Sequence, residues 1–585
     1  MSRGAPRSRT RRLGKQAAYA IAERLPAGTR DGFLEVARAV GSYFRGDGGA
    51  SSDGGEPATR YREPRVSGRL FGRAALALER GDLDAALEQT ADLVRRYPTS
   101  ARVLDLRGRV LGKSGELTER AAVLHRRHSL TGDPLGVEQE RGVLARVVET
   151  TPGWLPHLPG PAERLEPAGD DIVLHLLKAS VPYATTGFTM RQRYNFIAAM
   201  QAGVRPVGVT ELGFPRALGV TSFPRFEELD GIPHYHLDLG PTYPTDRPVD
   251  LLLADQAALI ARVVREVRPA VIHASSGHRG YELALVGLAL RRRFGIPLVY
   301  EVRSFFDASW TTDESLHGRA EQSDRRFETE TRTMLAADHV LTIAEAMRDE
   351  IIERGIAPER VSVVPNSVDV DVFTPRPPDP ALQARYGLEG MFTFGYVSNI
   401  DHPREGHELL LDATRVLRAR GRRVRCLIVG DGTRAEEVRG YARQIGVGDD
   451  AVFTGLVPHD EVPGHYALMD VFVVPRRDER FARVVTPLKP YEALAMARPM
   501  ILTDLPAHRE IAAPDERGLV VPPADPEALA DAIERLMDDP ALAARIGENG
   551  RAWVAGNRRW SDNGPRFREA YRRALERSRA PGWPD

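Results

Sequence analysis

The stretch VTPLKPYEALAMARPMILTDLPAHREI, residues 485–511, is the most informative part of the chain. It predicts a tight loop, a short helix, a buried strand and a further loop, with Pro487 and Pro490 near the start of the helix. Lys489 and Glu492 lie three residues apart and therefore share one face of that helix. The N–H groups of a helix N-terminus favour phosphate, and a carboxylate one turn on can accept hydrogen bonds from a ribose diol. The pattern thus predicts a nucleotide diphosphate site, with an ordinary helix-face ion pair as the alternative.

Composition indicates a globular protein of several domains. The 585 residues are too many for one core, so we expect three or four domains. Lys plus Arg and Asp plus Glu number 81 each, which gives no sign of a nucleic-acid partner, and we expect none. The single cysteine, Cys426, excludes internal disulfides and cysteine-based zinc sites and fits a cytoplasmic protein.

The N-terminal residues are basic. Before the first acid, Glu23, stand six cations: Arg3, Arg7, Arg9, Arg11, Arg12 and Lys15. The stretch AAYAIAERLP that follows is too short for a signal peptide, and the chain holds no run of about 18 apolar residues to span a membrane. We expect residues 1–66 to form a largely disordered basic tail and linker. An arm that contacts anionic lipid at the inner face of the membrane is the alternative.

An internal repeat follows the linker. The triplet Gly81-Asp82-Leu83 recurs 34 residues later as Gly115-Glu116-Leu117, and helical patterns flank both copies. Helix-turn-helix units of this period resemble tetratricopeptide repeats, so residues 67–150 are predicted to be all-α, with a plain helical bundle as the alternative. Two repeats bury little surface, so we expect them to pack on a neighbour and to offer a surface for a protein partner.

From residue 170 onward, short apolar runs alternate with amphipathic helices. This pattern predicts two doubly wound, Rossmann-like domains, residues 170–374 and 385–560, joined by a proline-rich linker. Ligands of such sheets bind at the carboxyl ends of the strands, so the cleft between the domains is the expected site. The predicted strands are 172–178, 206–211, 270–275, 297–302, 338–343 and 361–365 in the first domain, and 392–397, 424–430, 451–455, 471–475, 499–503 and 518–522 in the second.

Several of these segments carry motifs in a familiar order. VYEVRSFFDASW, VVPNSVD (363–369), GYVSNI, LIVGDG, VFVVP and TPLKPYEALA together resemble glycosyltransferase family 4, retaining enzymes with the GT-B fold that use nucleotide sugars. The resemblance covers about residues 170–577. It implies an acceptor domain at 170–374, a donor domain at 385–560 and a helix at 561–578 that crosses back to the first domain. It also implies transfer of a sugar from a nucleoside diphosphate donor to a hydroxyl acceptor, with no cofactor besides the donor.

The resemblance assigns roles in the opening stretch. The donor motif of the family is Glu-x7-Glu, and its second Glu corresponds to Glu492, the implied ribose ligand. Backbone N–H groups of Thr486, Leu488 and Lys489 would cradle the diphosphate, with Pro487, which has no N–H, between them. The ammonium of Lys489 would add positive charge as the phosphate departs, so we expect no metal.

Two positions depart from the family pattern. Val484 stands where the first Glu of the motif is expected, which leaves the sugar open. The family has a glycine turn with an arginine after the first strand of the donor domain, and here the turn is Ser398-Asn399. Glu405 stands near the expected lysine, which leaves Arg404 as the candidate phosphate cation, with an exposed loop arginine as the alternative. The small Ser398 hydroxyl still permits close approach to phosphate.

Three residues of the first domain complete the predicted site. Gly187, in the loop SVPYATTGFTMRQRYN, would let the backbone approach the reacting centre, although an ordinary βα loop would look the same. His273 ends one strand and Arg303 follows the next. With Lys489 they are the predicted catalytic residues, His273 near the acceptor and Arg303 at a phosphate or sugar carboxylate. A structural histidine is the alternative for His273.

Family habit suggests a glycan or lipid-linked acceptor in cell-surface polysaccharide or glycolipid synthesis. Two other functions stay open. A nucleotide-sugar 2-epimerase would use the same fold and the same diphosphate cleft. A non-catalytic scaffold would keep only a vestigial cleft, and Val484 together with the cation-free turn at Ser398 favours that alternative.

Overall fold

The computed structural model describes residues 61–580 apart from positions 245, 308 and 312. Most of the predicted basic tail therefore lies outside the described residues. The chain divides into two compact units. The first holds the residues up to Gly160 with Leu239–Leu259 and Phe306–Thr333, and the second holds Pro161–Asp238, Ile260–Phe305 and the chain from Met334 onward. None of the helices in the described part combines the length and apolar character that crossing a bilayer requires.

The described part of the first unit begins, after residue 61, with five helices in succession. They are α1 (Gly68–Glu79), α2 (Leu83–Arg96), α3 (Ala101–Ser114), α4 (Leu117–Thr131) and α5 (Pro134–Glu149). The repeated triplets form the turns between them. Gly81 and Gly115 have φ values of +77° and +79°, a region that favours glycine. Helix-turn-helix units therefore occur where the repeat predicted them, and their assignment to tetratricopeptide repeats stays a prediction.

The second of these turns packs on a later segment of its own unit. A Cβ on Gly115 would lie 2.5 Å from Cη2 of Trp310, so only glycine fits there. The N–H of Gln322 donates to the Gly115 carbonyl at 3.0 Å, and the N–H of Thr118 donates to Oε2 of Glu321 at 2.8 Å. The helical repeats thus have their neighbour within the same compact unit.

The first sheet has eight strands in the order β3-β4-β2-β1-β5-β6-β7-β8. All neighbours pair in parallel except β3 and β4, which pair antiparallel. The strands are β1 (Ile172–Leu177), β2 (Arg205–Thr210), β3 (Phe226–Leu229), β4 (Ile232–Tyr235), β5 (Val271–Ser275), β6 (Leu298–Val302), β7 (His339–Thr342) and β8 (Val361–Val363). The intervening helices are α6 (Gly187–Gln201), α7 (Val249–Val267), α8 (Glu282–Phe294), α9 (Glu321–Ala336) and α10 (Glu345–Glu353).

The second sheet has six parallel strands in the order β11-β10-β9-β12-β13-β14. They are β9 (Phe392–Val397), β10 (Val424–Val429), β11 (Ala451–Phe453), β12 (Val471–Val474), β13 (Met500–Thr503) and β14 (Leu519–Val521). The helices are α11 (Pro380–Tyr386), α12 (His407–Ala419), α13 (Ala435–Gln444), α14 (Val462–Ala467), α15 (Arg480–Val484), α16 (Lys489–Ala495), α17 (Pro506–Ala512), α18 (Pro526–Asp538) and α19 (Pro540–Asn557). The loop predicted at the end of 485–511 was wrong, because Pro506 opens helix α17 there.

The last helix, α20 (Asn563–Ser578), belongs to the core of the first sheet. Phe567, Ala570, Tyr571 and Ala574 are buried there with strand residues such as Val271. The chain thus runs through the second sheet and returns to the first, the course that the family resemblance implied for 561–578.

Candidate functional site

The carboxylate of Glu492 is fixed by two donors of its own domain. The side chain lies on α16 and is 9% exposed. The hydroxyl of Tyr466 donates to Oε2 at 2.8 Å, and Nζ of Lys489 lies 3.2 Å from the same oxygen. Burial and the nearby Glu492 raise the pKa of Tyr466 well above its ordinary value, so the hydroxyl stays a donor. A carboxylate held this way keeps lone pairs for further donors such as ribose hydroxyls.

A chain of hydrogen bonds joins the first sheet to the loop before α16. The carbonyl of Thr486 accepts from Nδ2 of Asn366 at 2.8 Å, and Oδ1 of Asn366 accepts from Nη1 of Arg191 at 3.0 Å. The other terminal nitrogen of Arg191 donates to Oε1 of Glu301 at 2.9 Å. All four residues are buried. The position of the loop therefore depends on the first sheet as well as on the second.

Gly187 and Leu488, both predicted donor-site residues, meet. Gly187 begins α6 after the cap residue Thr186, whose side chain forms a capping box with Thr189. A Cβ on Gly187 would lie 3.2 Å from Cδ1 of Leu488. A larger residue at 187 would press on the loop that carries Thr486, Pro487 and Leu488.

Ser398 lies at the end of β9, but its hydroxyl is already engaged. Its Oγ lies 2.7 Å from Nε2 of His407. Burial lowers the pKa of His407 to about 4, so its imidazole is neutral at pH 7. The close backbone approach at this turn is made by Gly430, where a Cβ would lie 1.9 Å from the Ser398 carbonyl oxygen. Only glycine fits at position 430 beside this turn, and the contact of Ser398 with phosphate stays a prediction.

A buried cation of the donor domain that sequence reasoning missed is Arg476. Its guanidinium donates to both oxygens of Glu405, at 3.1 and 3.2 Å, and to the carbonyl of Val485 at 3.4 Å. Burial would lower the pKa of Arg476, but Glu405 raises it above its ordinary value. The signal was an arginine directly after an apolar strand, at the same sheet edge as the 485–489 loop. Arg404, the predicted cation, lies over the ring of Phe481 at 4.0 Å.

His273 and Arg303 meet at Glu301. Nε of Arg303 donates to Oε2 of Glu301 at 2.7 Å, and Nε2 of His273 lies 3.5 Å from the same oxygen. Burial would raise the pKa of Glu301, but Arg303 and Arg191 lower it well below its ordinary value, so Glu301 is ionised. His273 is 1% exposed, and its Nδ1 lies 2.8 Å from the Tyr571 hydroxyl on α20. His273 is thus enclosed by its neighbours, and its role near the acceptor stays a prediction.

Comparison with known proteins identifies the family. Residues 392–539 match the model described as Glycosyl transferases group 1, and residues 217–372 match that of Glycosyltransferase Family 4. A GDP-mannose-dependent alpha-mannosyltransferase of Mycobacterium tuberculosis is 32% identical over 310 residues, which cover 50% of this chain and 71% of that protein. The chain belongs to glycosyltransferase family 4.

A further relative is similar to this chain in sequence, and two solved structures are similar in fold. A GDP-mannose-dependent alpha-(1-6)-phosphatidylinositol monomannoside mannosyltransferase of Mycolicibacterium smegmatis is 33% identical over 209 residues, 35% of this chain and only about half, 54%, of that protein. Sucrose-phosphate synthase from Thermosynechococcus elongatus superposes with a TM-score of 0.57 at 22% identity, covering 69% of this chain and 99% of its own. Anabaena HepE in complex with UDP-glucose superposes with a TM-score of 0.52 at 18% identity, covering 68% of this chain and 98% of its own. The predicted GT-B fold and glycosyltransferase family are confirmed.

Proposed function

We propose that this family 4 glycosyltransferase moves a sugar from a nucleoside diphosphate donor to a hydroxyl group of a glycan or lipid-linked acceptor. The observation that carries the proposal is the buried carboxylate of Glu492, held by Tyr466 and Lys489 in the domain that matches the group 1 model. Relatives named as GDP-mannose-dependent make GDP-mannose the first donor to test.

Each residue of the donor domain has a distinct part in this proposal. Glu492 accepts hydrogen bonds from the ribose diol. The N–H groups of Thr486, Leu488 and Lys489 contact the diphosphate, and the ammonium of Lys489 offsets the charge that develops on the leaving phosphate. Arg476 holds the carbonyl of Val485 and so fixes the start of this loop. The proposal includes no cofactor besides the donor substrate.

The first domain positions the sugar and the acceptor. The guanidinium of Arg303 lies 5.8 Å from the ring centre of Phe188, the residue that follows Gly187 in the chain. We assign Arg303 to the sugar or its phosphate, and His273 to the orientation of Glu301. In the proposed transfer with retention, the bond between the anomeric carbon and the phosphate oxygen breaks while the acceptor oxygen bonds to that carbon on the same face, with no protein nucleophile. The acceptor proton passes to the leaving phosphate.

A donor screen read by nucleotide release tests the proposal. The full chain is incubated with GDP-mannose, UDP-glucose and related donors, with and without a lipid extract or soluble glycans as acceptors. We expect nucleotide release from one of the donors, and only when an acceptor is present. Conversion of the sugar without any acceptor would indicate an epimerase. Binding of no nucleotide would indicate the scaffold alternative.

For the N-terminal part we propose contact with anionic membrane lipid through the basic residues before Glu23, and with a protein partner through residues 67–150. The six cations in that segment support the first part of the proposal, because clustered Lys and Arg are attracted to anionic lipid. Cosedimentation with phosphatidylserine vesicles is expected for the full chain and is expected to fall when Arg7, Arg9 and Arg11 are replaced by Ser. Equal sedimentation of both proteins would contradict it.

A further inference from the structure

Three metal-ligating side chains converge between α4 and α5 in the helical region. His125 and His128 are three residues apart on α4 and so share one face, and Glu140 reaches them from α5. Nδ1 of His125 lies 2.8 Å from Oε1 of Glu140, and Nδ1 of His128 lies 3.1 Å from Oε2. The ligand atoms of the three side chains all lie within 4.8 Å of one another. Within the part of the chain that the structure describes, no other group of three or more His, Cys, Asp or Glu side chains meets that spacing.

The donor set suits a borderline-soft divalent ion. Two imidazole nitrogens and one carboxylate oxygen are ligands that Zn²⁺ takes, at about 2.0–2.2 Å in tetrahedral geometry. Such bond lengths place neighbouring ligand atoms roughly 3.3 Å apart. The observed separations between Nδ1 and the carboxylate oxygens, 2.8 Å for His125 and 3.1 Å for His128, are close to that value. It would replace the protons that the Nδ1 atoms share with the carboxylate.

Exposure of the three residues also fits an accessible site. The carboxylate side chain of Glu140 is 10% exposed, whereas the side chains of His125 and His128 are 44% and 31% exposed. The buried anion fixes the inner ligand, and the half-exposed imidazoles leave a path for an ion and a water molecule as the fourth ligand.

We propose that His125, His128 and Glu140 form a zinc-type metal site that ties α4 to α5. The apolar core between these helices is small and consists of Leu117, Ala121, Leu124, Val143, Leu144 and Val147. Coordination across the two helices would therefore add a substantial constraint to the last hairpin of the helical region. This site is separate from the residues assigned to sugar transfer and does not depend on the proposed function.

Zinc titration of the full chain, freed of metal with a chelator that is then removed, tests the proposal. Isothermal titration calorimetry is expected to show one Zn²⁺ per chain and differential scanning fluorimetry a rise in melting temperature, with no comparable effect of Mg²⁺. His128→Asn keeps an amide donor for Glu140 but removes an imidazole ligand, and it should lower the zinc affinity at least about tenfold. Glu140→Gln should do the same. The exposed His157 gives the matched control, and His157→Asn should bind zinc like the wild type.

Two results would overturn the proposal. One is the absence of both heat and a melting shift with the wild type. The other is unchanged affinity in a folded His125→Asn, His128→Asn double variant, which would show that zinc binds elsewhere. Far-UV circular dichroism of the metal-free variants establishes that they are folded, so that loss of zinc binding can be assigned to the missing ligand.

Discussion

Tyr466 and Lys489 fix the carboxylate of Glu492 before any ligand arrives. Removing the hydroxyl in Tyr466→Phe would leave Lys489 as the remaining donor to Oε2, which now also accepts from Tyr466 at 2.8 Å. We expect weaker donor binding by about 1–2 kcal/mol, because a hydrogen bond to a charged group is lost and the carboxylate is less well oriented. Isothermal titration with the nucleotide diphosphate measures this change.

Tyr441 provides the matched control for that variant. Its hydroxyl also donates to a carboxylate of the donor domain, Oδ1 of Asp412, at 2.9 Å. Tyr441→Phe removes the same group from α13, away from α16, and should leave nucleotide affinity unchanged. Equal affinities of Tyr466→Phe and wild type would mean that the hydroxyl does not orient the ribose ligand.

Asn366 is the residue through which the first sheet reaches the donor loop. Asn366→Ala removes the donor to the Thr486 carbonyl and the acceptor for Arg191, all in buried surroundings. We expect a loss of roughly 1–3 kcal/mol in stability and a weaker nucleotide affinity, because both partners would remain buried without this bond. The control is Asn549→Ala, since Nδ2 of Asn549 donates to the carbonyl of Glu516 at 3.0 Å in an exposed position. A variant of Asn366 that melts earlier but binds nucleotide normally would contradict the link to the loop.

Spacing along the chain explains which site residues could be predicted. Lys489 and Glu492 are neighbours on one helix, so their pairing follows from the sequence. Tyr466 lies 26 residues from its partner Glu492, and Asn366 lies 120 residues from Thr486. No local pattern links such pairs, because the order of strands in the folded sheet brings them together. The cluster of His125, His128 and Glu140 was missed for the same reason, since Glu140 lies on α5 and the two histidines lie on α4.

At the scale of elements, α12 begins with a buried histidine, His407, from which we predict that the donor domain loses stability in acid. Burial lowers the pKa of His407 to about 4 in the folded state, whereas an unfolded histidine has a pKa of about 6.5. The unfolded chain therefore binds the proton first, so the stability contributed by neutral His407 is complete above about pH 6.5 and falls as the pH drops toward 4. Between pH 6.5 and 5 the loss is about 1.6 kcal/mol.

Hydrogen exchange of the α12 amides at both pH values measures that loss locally. His407→Asn should show a smaller change in opening free energy between pH 6.5 and 5 than the wild type. His157→Asn, at an exposed position, should match the wild type. An equal change in His407→Asn and wild type would mean that another group causes the acid sensitivity.

The hairpin of β3 and β4 shows where prediction of the elements failed. Apolar runs in the sequence predicted the other strands, because strands buried on both faces are continuously hydrophobic. β3 has the sequence FEEL and an alternating half-exposed pattern, so it was missed. The turn between β3 and β4 is Asp230-Gly231, with φ values of +52° and +77°. Asp-Gly between two short runs is a hairpin signal and could have identified both strands.

For the whole molecule, the division into two compact units predicts which segment a truncation would expose. The helical region shares its unit with residues 306–333, where Trp310 and Glu321 contact Gly115 and Thr118. Deleting residues 1–150 should therefore leave nucleotide binding intact but increase hydrogen exchange over 306–333, because those side chains lose their partners. Hydrogen exchange with mass spectrometry compares the two proteins. Unchanged protection of 306–333 in the truncated protein would contradict this account of the unit.

The most direct test of the account is the nucleotide affinity of Glu492→Ala beside the wild type, measured by calorimetry with GDP and UDP. If the carboxylate at the start of α16 binds the ribose, the variant should bind the preferred nucleotide about 1–3 kcal/mol more weakly while its circular dichroism stays unchanged. An unchanged dissociation constant in a folded Glu492→Ala would contradict the assignment of the donor site.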